Sequence, residues 1–253
     1  MKDKILIFII TYKASFRVLN VIKKIPFKYF RGKNVKILIS DDNSKDDTVD
    51  IIRNIKKKYK AKVLIRFNKK NLGYGANIKR CITYAYKNEY DYAVMIHGDN
   101  QYDPKYSSIM INSLLKNKKI TAVTGSRMIR KLDALKGKMP IYKFVGNFLL
   151  TKIFNFIYNT QFTDCHTGYW AYNLKKINPN IFKKLDNKFC FDIDFRLEMI
   201  KRKKQIKEIS IKTFYGTERS SIHFIYALRF FYKITLNKLL KRFTYPSFHF
   251  QDN

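Results

Sequence analysis

The stretch Tyr92-Ala-Val-Met-Ile-His97-Gly98-Asp99-Asn100-Gln101-Tyr102-Asp103-Pro104 decides the fold. Tyr92 to Ile96 is a short apolar run that stops at polar and turn-forming residues, so it reads as a buried strand feeding a loop. Working backward, Lys4 to Ile10, Val35 to Ile39 and Val63 to Phe67 repeat that pattern. Helical segments are predicted between them, over Ser15–Ile25, from Asp47 or Thr48 as cap to about Lys58, and from the Asn71-Leu-Gly-Tyr-Gly-Ala76 turn through Ala85. Working forward, a helix over Lys105–Leu115 precedes a fifth strand around Ala122-Val123 that ends at Gly125-Ser-Arg127. Alternation of this kind predicts an α/β fold with a mostly parallel central sheet flanked by helices.

Beyond residue 127 the pattern is less regular. Lys143–Tyr158 and Phe191–Met199 read as helices, Asp164-Cys-His-Thr-Gly-Tyr169 as a polar loop, and Ile206–Phe214 as an edge strand. From Ser221 to Phe243, Phe224, Leu228, Leu236 and Leu240 interleave with Arg229, Lys233, Lys238, Lys241 and Arg242. This segment predicts a basic amphipathic helix, either lying on an anionic membrane or packed on the rest of the protein. The expected organisation is one domain over 1–220 and a C-terminal extension over 221–253.

Composition narrows the function. Lys plus Arg number 52 against 19 Asp plus Glu, a formal net charge of +33. Such a field attracts polyanions: nucleic acid, anionic lipid or a phosphorylated substrate. No helix-turn-helix, zinc-finger, RRM or KH pattern appears, so nucleic-acid binding is the weaker reading and no specific nucleic acid is expected. The chain has no run of about eighteen apolar residues, and its opening reads as a strand rather than a signal peptide. Cys81, Cys165 and Cys190 lie far apart, without zinc-ligand spacing, which fits a reducing compartment.

The polar loops all follow the carboxyl ends of strands, where open α/β sheets bind ligands. Neither a Gly-x-Gly-x-x-Gly after the first strand nor a Gly-x-x-x-x-Gly-Lys is present. In Asp41-Asp42-Asn43-Ser44, a carboxylate is placed to accept hydrogen bonds from a base or ribose, or else to form an Asx turn before a helix. Asp99 and Gln101, beside His97 and Asp103, offer oxygen ligands suited to Mg²⁺ or Mn²⁺. Arg127, and Arg219 with Ser220 and Ser221, follow strands and are candidates for phosphate contacts.

As an ordered set these clusters resemble family 2 glycosyltransferases with the GT-A fold, near the dolichol-phosphate and polyprenyl-phosphate sugar transferases. The resemblance runs through Thr11-Tyr12, Ser40-Asp-Asp-Asn-Ser44, Asn71 to Ala76, Gly98 to Pro104, Gly125-Ser-Arg127, Asp164-x-x-Thr-Gly-Tyr169 and Phe191-Asp192, covering residues 4 to about 220. It implies transfer of a sugar, with inversion, from a UDP- or GDP-linked donor to a polyprenyl phosphate or membrane-proximal glycan in surface glycan synthesis. A non-catalytic homologue that only binds sugar nucleotides is the alternative. The resemblance places Thr11, Tyr12, Asp41, Asp42, Asn71, Gly75, Asp99 and Arg127 around the donor. Asp99, Gln101 and His97 fall on a Mn²⁺ or Mg²⁺ ion. Asp164, His166, Gly168, Tyr169, Trp170, Arg219 and Ser220 fall on the acceptor side, and Asp192 and Asp99 are the catalytic candidates. It further implies a cytoplasmic protein, peripheral on the inner face of the cell membrane. Three positions depart from the family pattern. His97 replaces the first acid of the Asp-x-Asp metal motif, Lys13-Ala14 stands where many members have Asn-Glu, and Trp170 stands where related sequences often have Arg. The family's usual C-terminal membrane helices are also absent from the sequence.

Overall fold

The protein is described by a computed structural model over residues 3–213, Tyr215 and the pair Phe231–Tyr232. Seven strands form one sheet: β1 (Lys4–Thr11), β2 (Asn34–Asp41), β3 (Val63–Phe67), β4 (Tyr92–His97), β5 (Ala122–Ser126), β6 (Trp170–Asn173) and β7 (Ile206–Ser210). Among the described residues eight α-helices of a turn or more accompany them: α1 (Phe16–Lys24), α2 (Thr48–Tyr59), α3 (Tyr74–Lys87), α4 (Tyr106–Lys116), α5 (Lys131–Lys136), α6 (Ile141–Tyr158), α7 (Asn180–Lys184) and α8 (Phe191–Lys201). The strand order is β3-β2-β1-β4-β6-β5-β7. All neighbours are parallel except β6, which runs antiparallel to both β4 and β5.

The apolar runs form central strands because both faces of the sheet are covered. Along β1, Leu6, Phe8 and Ile10 pack with Ile78, Cys81 and Ile82 of α3 and Phe191, Phe195 and Met199 of α8. Ile5, Ile7 and Ile9 point the other way, onto Val18, Val21 and Ile22 of α1, Ile52 and Ile55 of α2, and Met110, Ile111 and Leu114 of α4. Side chains alternate faces along a strand, so a strand buried on both sides needs apolar residues at every position. Each such side chain contributes about 1.5–3 kcal/mol on burial.

The predicted elements through residue 127 are all present, with ends that agree to within two residues. Asp47 does precede α2, but its side chain does not cap that helix. It accepts a hydrogen bond from Ser15 Oγ at 2.6 Å, while Asp46 Oδ1 accepts from Thr48 N at 3.2 Å. The edge strand is shorter than predicted, followed by a lone bridge between Tyr102 and Thr213. The expectation missed β6, α5 and α7. Arg219, Ser220 and the predicted C-terminal amphipathic segment lie outside the described residues.

The order reverses between β1 and β4, where the chain has built outward first to one side and then to the other. The carboxyl ends of those two strands therefore border a crevice, the place where open α/β sheets take ligands. Thr11 and His97-Gly98-Asp99 lie at its lip. Gly98 N donates to Ile10 O at 2.9 Å, and a Cβ on Gly98 would lie 2.5 Å from Thr11 Cγ2. Among the described residues, no helix is long and apolar enough to cross a membrane.

Candidate active site

The loop after β2 is built by its two carboxylates. Asp41 is buried; its Oδ1 accepts from Thr11 Oγ1 at 3.0 Å and Ser44 Oγ at 2.6 Å, and its Oδ2 from Ser44 N at 2.8 Å. Asp42 Oδ1 accepts from Asn68 Nδ2 at 2.8 Å and Leu72 N at 2.9 Å, and its Oδ2 from Gly73 N at 2.8 Å. Both carboxylates are thus held by the chain itself and join the loops after β1, β2 and β3. Tyr12, by contrast, is exposed. Asn71 Oδ1 accepts from Gly73 N at 3.0 Å, bending the chain into α3.

Gly75 is a packing residue. A Cβ there would lie 2.3 Å from Asp186 O and 2.9 Å from Phe191 Cβ. Its absence lets the first turn of α3 press against the segment entering α8. That approach brings Tyr74 onto Asp192: Tyr74 Oη donates to Asp192 Oδ2 at 2.9 Å, with the Tyr74 ring stacked on Phe189. Asp192 Oδ1 is sheltered and has no hydrogen-bond partner. Burial raises the Asp192 carboxyl to about 7, although the Tyr74 bond, the positive charge of Arg196 and the neighbouring Trp170 side chain pull the other way.

His97 closes this cluster. Its Nε2 lies 2.9 Å from the Gly168 carbonyl and 3.4 Å from Tyr74 Oη. A carbonyl only accepts, so Nε2 carries the hydrogen and Nδ1 holds the lone pair. Burial lowers the His97 pKa, with the charge of Asp99 opposing it. Gly168 is required for the approach, because a Cβ would lie 2.6 Å from Tyr74 Oη and 3.1 Å from the imidazole. The cluster therefore joins β4, α3, the 160–169 loop and α8.

Asp99 stands two residues beyond His97. Its Oδ1 accepts from Gln101 N at 2.9 Å, and among the described residues nothing donates to Oδ2. No group of three or more His, Cys, Asp or Glu side chains converges among the described residues. Gln101 meets Asp99 through its backbone, and the ring nitrogen of His97 that faces the cluster is spoken for by Gly168. One under-used carboxylate fits a Mg²⁺ or Mn²⁺ ion whose remaining ligands are water and substrate phosphate, the usual manner for these hard cations.

The expected acceptor side is largely interior. Arg127 and Asp164, assigned from sequence to opposite sides of the site, form a forked ion pair. Arg127 Nε and Nη2 donate to Asp164 Oδ2 and Oδ1 at 2.7 and 2.9 Å, and Nη1 donates to Tyr215 Oη at 2.9 Å. The guanidinium beside Asp164 offsets the opposing effect of burial and holds its carboxyl at about 2. Arg127 thus commits three of its five N–H groups to Asp164 and Tyr215. Burial lowers His166 to about 4, leaving it neutral near pH 7. Tyr169 and Trp170 are core residues; Trp170 meets Phe195 edge-on at 5.1 Å.

Two residues were not assigned to the site from sequence. Tyr74 stands out in the sequence only as an aromatic in a glycine turn, and no periodicity links it to Asp192, 118 positions away. Arg196 is fully buried between the rings of Phe162 and Trp170 and donates from Nη2 to Asp164 O at 3.2 Å. It supports the 160–169 loop from beneath, and in sequence it is one arginine among 52 basic residues.

Known structures share this architecture. Glucosyl-3-phosphoglycerate synthase of Mycobacterium tuberculosis, solved with Mg²⁺ and uridine diphosphate, superimposes with a TM-score of 0.63 at 15% identity over 96% of this chain and 80% of that one. The mannosyltransferase PcManGT of Pyrobaculum calidifontis, solved with GDP-Man and Mn²⁺, gives 0.62 at 9% identity over 97% of this chain and 66% of that one. In sequence, an uncharacterized protein of Methanocaldococcus jannaschii is 32% identical over 51% of this chain, a match spanning only 54% of that protein. The UDP-N-acetylglucosamine–dolichyl-phosphate N-acetylglucosaminyltransferase of Methanococcus voltae is 27% identical over 95% of this chain and 99% of its own length. Residues 6–178, most of the sheet and the loops at its carboxyl edge, match the family described as glycosyl transferase family 2, and the chain, with its GT-A-like fold, belongs to that family.

Proposed function

We propose that this protein transfers a sugar, with inversion, from a UDP- or GDP-linked donor to a polyprenyl phosphate at the inner face of the cytoplasmic membrane, using Mn²⁺ or Mg²⁺. The observation that carries the reading is the pairing of two under-satisfied carboxylates, Asp99 and Asp192, around the His97–Tyr74 contact at the carboxyl edge of the sheet. Support for the acceptor comes from the Methanococcus voltae relative, whose name gives dolichyl phosphate as its acceptor, and from the basic surplus of the chain. Support for the donor and ion comes from the fold relatives solved with uridine diphosphate or GDP-Man and with Mg²⁺ or Mn²⁺.

In this reading Asp99 holds the ion through its free oxygen. A bound divalent ion supplies charge neutralisation for the departing diphosphate. The backbone around Gly98 lets donor phosphates approach the end of β4. Asp41 and Asp42 keep the donor-side loops in place, and Thr11, Tyr12, Asn71 and Gly75 complete that wall. Asp192 faces the incoming acceptor, with Tyr74 fixing its rotamer. A phosphate acceptor is already ionised and needs no proton removed. A glycan hydroxyl is the second reading, favoured by one observation: a carboxyl raised to about 7 is well matched to general-base work near neutral pH. Arg219 and Ser220 are assigned to the acceptor on sequence alone.

Thermal unfolding against a panel of sugar nucleotides, with and without Mn²⁺, tests the donor. Specific binding stabilises the folded state by mass action. A UDP- or GDP-sugar should raise the Tm by several degrees, and only with metal present, and the stabilising donor should then turn over on a polyprenyl phosphate. No shift with any sugar nucleotide would remove this reading. Stabilisation without transfer to either acceptor class would leave a binding protein.

A further inference from the structure

Among the described residues, nine of the fourteen exposed large hydrophobic side chains fall between Ile129 and Phe156, on and around α5 and α6. On α6 they are Ile141, Tyr142, Val145, Leu149, Ile153 and Phe156, with Ile141 74% and Phe156 86% exposed. At 100° per residue these six lie within a sector of about 120°. Thr151, Phe154 and Tyr158 occupy the opposite, buried side. The helix thus carries two apolar faces, of which the described residues cover one.

The charge around the open face is one-sided. Residues 129–156 contain Arg130, Lys131, Lys136, Lys138, Lys143 and Lys152 but only one acid, Asp133. The ammonium groups of Lys131 and Lys152 sit 4.9 and 5.7 Å from the ring centre of Phe148, which borders the open sector, and Lys152 itself rises from within that sector. A symmetric dimer through this face would set the same cations against each other. The chain beyond Tyr215 is also cationic, with six basic residues against Glu218 and Asp252. Neither protein surface complements the rim. A surface that is apolar inside and negative at its boundary does.

We infer that the open face of α5–α6 docks on an anionic lipid surface, with its apolar side chains in the acyl boundary and its lysines among the headgroups. The inference deepens the lipid-acceptor reading above by naming the surface that meets the membrane. The position suits that role. Thr151 Oγ1 accepts from Cys165 N at 3.2 Å, and Asn155 bonds Phe162 through both its N–H and its carbonyl, Nδ2 to Phe162 O at 2.7 Å and Oδ1 from Phe162 N at 3.0 Å. Through these bonds α6 is fastened to the loop that carries Asp164 to Gly168. A docked α6 therefore holds the acceptor side of the crevice at the lipid boundary.

Co-sedimentation of the full chain with phosphatidylglycerol and phosphatidylcholine vesicles tests this without donor or acceptor, so its outcome is separate from that of the transfer reading. Binding should be strong to phosphatidylglycerol at low salt, weak to phosphatidylcholine, and reduced by salt. The double variant Leu149→Glu/Phe156→Glu should bind phosphatidylglycerol about tenfold more weakly or worse. Phe16→Glu, an exposed position on α1, should bind as the parent does. If the double variant does not fold, Lys131→Glu/Lys152→Glu reads the electrostatic part and should also weaken binding. Unchanged binding in the folded α6 variant, equal binding to both vesicle types, or a lipid-free dimer that the α6 substitutions dissociate would overturn the inference.

Discussion

Two pairs of carboxylates line the same edge of the sheet and have opposite fates. Asp41 and Asp42 each accept three hydrogen bonds from the chain. Asp99 and Asp192 each accept one; the second oxygen of Asp192 is buried without a partner, and that of Asp99, which is half-buried, receives no bond from the described residues. Buried polar groups are nearly always satisfied, so the first pair behaves as structure and the second as unfinished business. A carboxylate that builds a loop has most of its acceptor capacity committed to the chain. One that a helix presents half-bonded is available, at a cost in stability until something fills the gap.

Substitutions can break or sharpen that contrast. The largest effect is expected at Asp99. Asp99→Ala should lower transfer by roughly 10³-fold, since coordination at a departing diphosphate is worth several kcal/mol. It should leave the Tm almost unmoved; metal-independent transfer at the parent rate would remove Asp99 from the site. Asp42→Ala should do the reverse. It strands the donors of Asn68, Leu72 and Gly73 and should cost about 3 kcal/mol in chemical denaturation, with any loss of activity following the loss of folded protein. A stable but inactive Asp42→Ala would place that carboxylate on the donor after all.

The smallest effect is the most diagnostic. Asp192 has its carboxyl raised to about 7 by burial, well above its ordinary value. A raised carboxyl favours the folded state only while protonated, so its contribution is present at acid pH and lost as pH rises through about 7. Asp192→Asn should therefore melt at a higher temperature than the parent at pH 8, by on the order of 2 kcal/mol, with no such gain near pH 4. In single turnovers it should slow transfer to a hydroxyl about 10²-fold and transfer to a phosphate much less. Equal melting at pH 8 would show that the carboxylate is ionised without strain.

Sequence carried the first half of the fold because Ile5 to Ile10 and Tyr92 to Ile96 are apolar at every position, the pattern of strands covered on both faces, and Val35 to Ile39 and Val63 to Phe67 repeat it with one basic residue each, Lys36 and Arg66. It missed β6 for the opposite reason. Trp170-Ala-Tyr-Asn173 is four residues long and abuts a glycine loop, and its burial is set by neighbours far away in the chain. The site was legible as a set of loops but not as contacts. The Asp41-Asp42 cluster announced its place at the edge, yet nothing in the string says that Ser44, Asn68 and Gly73 consume its oxygens. The Arg127–Asp164 fork spans 37 positions and the Tyr74–Asp192 bond 118. Such pairings follow from three-dimensional packing, to which local spacing is blind.

The reversed strand has a consequence for synthesis on the ribosome. β6 lies between β4 and β5 but is made after both. Until Trp170 to Asn173 emerges, β4 has a bare edge and β5 has no link to the rest of the sheet. The stretch from Ser126 to Trp170 takes a few seconds to translate at roughly 5–20 residues per second. For that interval the nascent chain presents the open edge of apolar β4 and both edges of β5, the situation most prone to pairing with a neighbour. A damaged β6 would therefore be felt first in the yield of soluble protein, before any enzyme existed to assay.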